Sequence, residues 1–135
     1  MPLDEARTED TRGWLDKARA DIRAAHVDLE AVPPLLEDAL FHCQQAVEKA
    51  LKGFLTWHDQ PFRKVHDLVE LGVQCAEIDS TMEELLRRSA KLSQFATAYR
   101  YPGLPAPPGL PQAKDAESLA REVLDHVLAR LPEGI

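Results

Sequence analysis

The stretch LLEDALFHCQQAVEKALKGFLTW, residues 35–57, decides the fold. Leu36, Ala39, Leu40, Cys43, Ala46, Val47, Ala50, Leu51, Phe54 and Leu55 recur at steps of three and four, the stripe of an amphipathic helix. Pro33 and Pro34 precede it, and proline is tolerated in a first helical turn but not in a helix interior. The spacing predicts one long helix from just after the prolines to about Trp57. Residues 58–64, with Asp59-Gln60-Pro61, read as a connecting loop.

Working outward, Trp14, Leu15, Ala18, Ile22, Ala25, Leu29 and Val32 form an earlier stripe that Asp10 or Thr11 can cap and that the two prolines stop near Val32. Residues 1–10 are polar, with Pro2 and four acidic groups, and are expected to form a flexible arm. Toward the C-terminus, Val65, Leu68, Val69, Gly72, Val73 and Ala76 predict a shorter helix ending around Ile78-Asp79. Ser80 with Glu83 then makes a capping box, with Thr81 and Glu84 as the shifted alternative. The helix it opens buries Met82, Leu85, Leu86, Ser89, Leu92, Phe95, Ala96 and Tyr99. Residues 101–112, YPGLPAPPGLPQ, hold five prolines and two glycines and read as a loop or hinge. Ala116, Leu119, Ala120, Val123, Leu124, Val127, Leu128 and Leu131 predict a last helix, ended by Pro132 and Gly134. The expectation is a single all-α domain over residues 11–131, an up-and-down bundle of about five helices.

The chain has 135 residues and 6% aromatics, which suits one helical domain better than a many-stranded sandwich. Its formal charge of -7 repels a phosphate backbone over the whole molecule and disfavours bulk nucleic-acid binding. Residues 1–39 carry 5 basic and 10 acidic side chains, whereas residues 40–101 carry 8 of each, so an anion would be met in the middle. Cys43 and Cys75 fall inside apolar helical patterns and read as free buried thiols in a reducing compartment. No basic segment followed by an apolar run opens the sequence and no stretch is long and apolar enough for a membrane span; the expected location is the cytoplasm.

Phosphate-loop, dinucleotide-fold, zinc-protease and hydrolase motifs are absent. No two of His26, His42, His58, His66 and His126 lie three or four apart, so no metal is assigned; His58-Asp59 and His66-Asp67 could at most supply loop ligands. On the long helix, Gln44, Glu48 and Lys52 follow one another at steps of four, with Gln45 and Lys49 beside them. Either this is an exposed face with a Glu48–Lys52 ion pair, or Lys49 and Lys52, with Arg63 and Lys64 nearby, meet a phosphate or an acidic partner.

Three blocks occur in order: FHCQQAVEKALKGFL at 41–55, HDLVEL at 66–71 and YRYPG at 99–103. Together they resemble the HEPN family (higher eukaryotes and prokaryotes nucleotide-binding), over about residues 12–128. The resemblance implies a helical bundle that usually forms a homodimer, commonly encoded beside a small nucleotidyltransferase and sometimes paired with it as toxin and antitoxin. It implies a nucleotide- or partner-binding role for Gln44, Glu48, Lys49, Lys52, His66, Asp67, Arg100 and Tyr101, with Pro102. Structural alternatives stay open: Asp67 as a first-turn carboxylate, His66 as a near-cap, Arg100 paired with Glu48, and Tyr101-Pro102 as a helix end.

Catalytic members that the resemblance brings in are metal-independent ribonucleases with Arg, four to six residues, then His. No histidine follows Arg100 before His126, so no catalytic set is assigned. Arg121 with His126, and Arg19 with His26, have the spacing, as chance alone supplies. Five residues on an ideal helix turn Arg121 about 140° from His126. The reading is therefore a non-catalytic, cofactor-free nucleotide- or partner-binding subunit acting with a separate small nucleotidyltransferase. The alternatives are a ribonuclease toxin, built on Arg121 and His126 or on His66 with Arg100, and a helical adaptor with no small-molecule ligand.

Overall fold

The computed structural model describes residues 2–63, 66–99, 102–103 and 106–135, with residues 2–4 as backbone alone. Its elements are α1 (Pro2–Glu30), α2 (Leu36–Trp57), α3 (Leu68–Ile78), α4 (Glu83–Ser89) and α5 (Leu110–Ala129), with 3-10 turns at Ser80–Met82 and Ala90–Ala96. No strand occurs among the described residues. None of the helices is long and apolar enough to cross a membrane.

The long helix α2 is the centre of the molecule. It packs against α1, α3, α5 and the 3-10 segment after α4, so it is enclosed on most of its circumference. Leu40, Val47, Leu51, Phe54 and Leu55 are all but solvent-free there. Asp21 of α1 reaches His42 and Lys49 of α2, and Asp28 lies level with Asp38, so the two helices are antiparallel. His26 meets Glu117 while Arg12 bonds the carbonyl of Gly134, which sets α5 antiparallel to α1. At Gly53 an added Cβ would lie 3.1 Å from Leu15 Cδ2 and 3.2 Å from Trp14 Cβ. The missing side chain lets α1 and α2 approach closely here, and the glycine's conformational freedom is not the reason for it.

Several expectations are corrected. α1 begins at Pro2 and not after an arm, leaving Thr11 buried in mid-helix rather than at a cap; proline suits a first turn, and Arg7 lies 4.4 Å over the Trp57 ring, tying this part of the helix to the end of α2. Asp67 is the N-cap of α3, accepting from Val69 N at 2.9 Å, so the helix starts at Leu68. Its buried face is Leu68, Leu71, Gly72 and Cys75, and Val69 and Val73 stand more than half exposed. Asp79, not Ser80 or Thr81, caps the next segment through Thr81 N, and Arg130, just past α5, donates to Asp79 Oδ2 at 2.7 Å. The fourth helix does not run on to Tyr99. It tightens into 3-10 form at Ala90, where Ser89 Oγ donates back to the Leu86 carbonyl. Finally, α5 starts at Leu110 with Pro111 in its first turn, within the segment read as loop.

Candidate functional site

Because α2 is enclosed, the Gln44–Glu48–Lys52 row is not an exposed face. All three are buried, with side-chain exposures of 4% for Glu48 and 8% for Lys52. Each polar group has a partner. Glu48 Oε2 accepts from Lys52 Nζ at 3.0 Å; Oε1 accepts from Gln44 Nε2 at 3.1 Å and from His66 Nδ1 at 2.7 Å. Gln44 Nε2 also donates to the His66 carbonyl at 3.3 Å, and Gln45 Nε2 donates to Gln44 Oε1 at 2.6 Å. The Lys52 ammonium sits 5.5 Å from the Trp14 ring centre and 5.6 Å from that of Phe62, which meet edge to face at 5.9 Å.

Burial alone would raise the Glu48 carboxyl, but hydrogen bonds from His66, Lys52 and Gln44 outweigh it and hold the group below its ordinary value. Glu48 is thus a carboxylate, an acceptor only, and His66 must donate through Nδ1. That fixes the ring and turns Nε2 away from the row. The imidazole is 64% exposed, so through it the buried network reaches the surface. Ser93 Oγ accepts from Leu68 N at 2.9 Å and, with the Asp67 cap, fastens the backbone beside His66. His66 is therefore not a cap.

The other sequence candidates lie elsewhere. Lys49 Nζ donates to Asp21 Oδ2 at 2.6 Å, on the α1 side of α2. Arg63 forms a two-pronged bond to Glu70 at 2.8 Å on both arms. Arg100, Tyr101, Lys64 and Val65 lie outside the described residues; Pro102 is exposed beside Gly103, whose φ is 88°. Arg121 is tied to Glu117 at 3.2 Å, whereas His126 Nδ1 lies against Arg130 at 3.3 Å, so the two do not converge. Arg19 pairs with Asp16 and His26 with Glu117. Among the described residues, His58, Asp59, His66 and Asp67 do not gather into a three-ligand group.

Sequence reasoning missed a second polar cluster, Asp21, Asp28, Asp38 and His42, where α1 faces α2. Burial, then the neighbouring Asp38, raise the Asp28 carboxyl to about 6. The sequence held half of the signal, since Asp38 and His42 are one helical turn apart and Asp21 and Asp28 two turns apart; the fold-back of α1 that joins the two pairs is seen only in the structure. Cys43 and Cys75 are buried and free, and burial pushes both thiols up to about 12, which makes them inert packing groups.

A family model described as HEPN domain matches residues 11–130. The crystal structure of TT1696 from Thermus thermophilus superposes with a TM-score of 0.74 at 29% identity, over 90% of this chain and 98% of that one. No curated protein matches the sequence.

Proposed function

The chain belongs to the HEPN family, and on that premise we propose that it is a non-catalytic nucleotide- and partner-binding subunit. It forms a homodimer and acts with a separate small nucleotidyltransferase, as one half of a pair of toxin–antitoxin type. The observation that carries the reading is the closed Gln44–Glu48–Lys52 row with the exposed His66 imidazole as its outlet. A buried ionic row costs desolvation that a hydrophobic row would not. Its return here is a histidine locked in one orientation at the surface, able to meet a phosphate oxygen or a partner's acidic group.

Two further observations support it. Arg121 and His126, the Arg–His pair with ribonuclease spacing, have separate partners. Along α3, Val69 and Val73 are exposed in a largely apolar groove of about 430 Å3 that Leu86 and Gly72 also line, a surface suited to a protein partner. Purification of the untagged protein from its own host in mild salt, with light scattering for mass, tests the reading. Recovery as a dimer with a nucleotidyltransferase supports it; recovery as a monomer alone overturns it.

The Glu48–His66 pair also favours a second reading, in which His66 is the general base of an RNA-cleaving toxin. RNA cleavage by the purified protein that His66→Ala abolishes would support this and displace the first reading. Absence of cleavage rejects it.

A further inference from the structure

Asp28, near the end of α1, is 7% exposed; its Oδ2 is enclosed and takes no N–H or O–H donor among the described residues, and its carboxyl is hydrogen-bonded by the neighbouring Asp38 carboxyl. Buried side-chain oxygens are nearly always satisfied, so two carboxyls held against each other with an oxygen lacking a donor call for a shared proton, a water or a cation. It lines a groove of about 570 Å3 together with Asp38 and His42 of α2. One ligand atom from each of the three lies within 4.8 Å of the others.

The orientation of His42 is fixed from behind. Its Nδ1 meets Asp21 Oδ1 at 2.8 Å, and Asp21 is neutralised on its other oxygen by Lys49 at 2.6 Å. Nδ1 therefore carries the proton, and Nε2 faces Asp38 Oδ2 at 3.5 Å. A carboxylate that orients a histidine through Nδ1 while Nε2 faces a ligand position is the usual support of a metal-bound imidazole. With bonds of about 2.1 Å, two ligands of a tetrahedral ion lie roughly 3.4 Å apart, which matches the Asp38–His42 separation.

We propose that Asp28, Asp38 and His42 hold a divalent transition-metal ion that clamps α1 to α2, with Asp21 positioning His42. Two carboxylates and one imidazole suit Zn2+ or Mn2+ better than Ca2+, whose sites are built of oxygen alone. The rest of the shell faces the groove, where Arg19 and Arg23 also stand, so a water or an anionic oxygen completes it. This site is separate from the His66 outlet and does not depend on the function proposed above.

The test is calorimetric titration of the untagged full chain with Zn2+, after removal of metal by chelator, with circular dichroism to show that each variant is folded. One Zn2+ per chain is expected, with a thermal midpoint that rises on loading. Asp28→Asn and His42→Gln are each expected to weaken binding at least about 100-fold, and Asp21→Asn about 10-fold, through loss of orientation. Asp38→Asn, on an exposed residue, serves as the variant least able to disturb folding. Co2+ in place of Zn2+ should give the intense visible absorption of a four-coordinate ion in the wild type only. No saturable binding at 1:1, or equal binding by wild type, Asp38→Asn and His42→Gln, overturns the proposal.

Discussion

Helix α2 carries two polar rows that look alike in sequence and differ in structure. Gln44, Glu48 and Lys52 are buried and mutually satisfied, and the exposed His66 imidazole links them to the surface. Asp38, His42 and Lys49 face α1, where they meet Asp21 and an Asp28 oxygen left without a partner. The first row is complete within the chain. The second leaves that one oxygen without a donor among the described residues. Satisfaction, more than composition, distinguishes a polar group that positions a side chain from one that waits for a ligand.

The largest expected effect breaks the closed row. Glu48→Ala leaves the Lys52 ammonium buried among Trp14 and Phe62 and should cost about 3–5 kcal/mol in urea unfolding. The double variant Glu48→Leu with Lys52→Met should recover most of that. A loss under about 1 kcal/mol for Glu48→Ala would show that the row is open to water.

The pH dependence follows in sign. The Glu48 carboxyl is lower in the folded chain than its ordinary value of 4.5, so its contribution is present above that value and is lost as pH falls through the folded one. Unfolding free energy measured from pH 6 downward should therefore drop more steeply in the wild type than in Glu48→Gln. Parallel curves would contradict the assignment.

Lys49→Ala probes the other row. It removes a charge-assisted bond from a largely buried Asp21 and should cost about 1.5–3 kcal/mol, less than Glu48→Ala, because Lys49 keeps one face in water. Gly53→Ala comes next: the new Cβ meets Leu15 and Trp14 Cβ, and overpacking outweighs the gain in helix propensity, leaving a net loss of about 1 kcal/mol. Asp67→Ala should lose a similar ~1 kcal/mol through the α3 cap, without altering the closed row. Arg63→Ala, at an exposed pair, should leave the unfolding midpoint unchanged.

Much of the fold was legible because α2 and α5 have strong 3.6-residue periods and α1 and α2 are separated by two prolines. The register of α3 was not: Leu68, Val69, Leu71, Gly72 and Val73 offer apolar residues on nearly every face, and only the Asp67 cap and the packing against α4 choose Leu68 and Leu71 over Val69 and Val73. The shortening of α4 likewise depends on a hydroxyl turning back on its own helix. At the site, the resemblance picked out Gln44, Glu48, Lys52 and His66, which do meet. Amphipathic reasoning nevertheless placed the helix row in solvent, because it cannot see that α2 is wrapped by several neighbours. Lys49 was assigned to the same row although 100° per residue carries it to the α1 side. The Asp28–Asp38–His42 cluster needed the fold-back of α1 on α2 and could not be assembled from spacing within one helix.

The central claim is that the closed row serves to hold His66 as a binding contact. Titration of the wild type and of His66→Ala with ATP, each checked for an unchanged unfolding midpoint, tests it most directly. The account predicts saturable binding by the wild type and at least about a tenfold loss in the variant, equivalent to about 1.4 kcal/mol. No binding by the wild type, or equal binding by both, would contradict it.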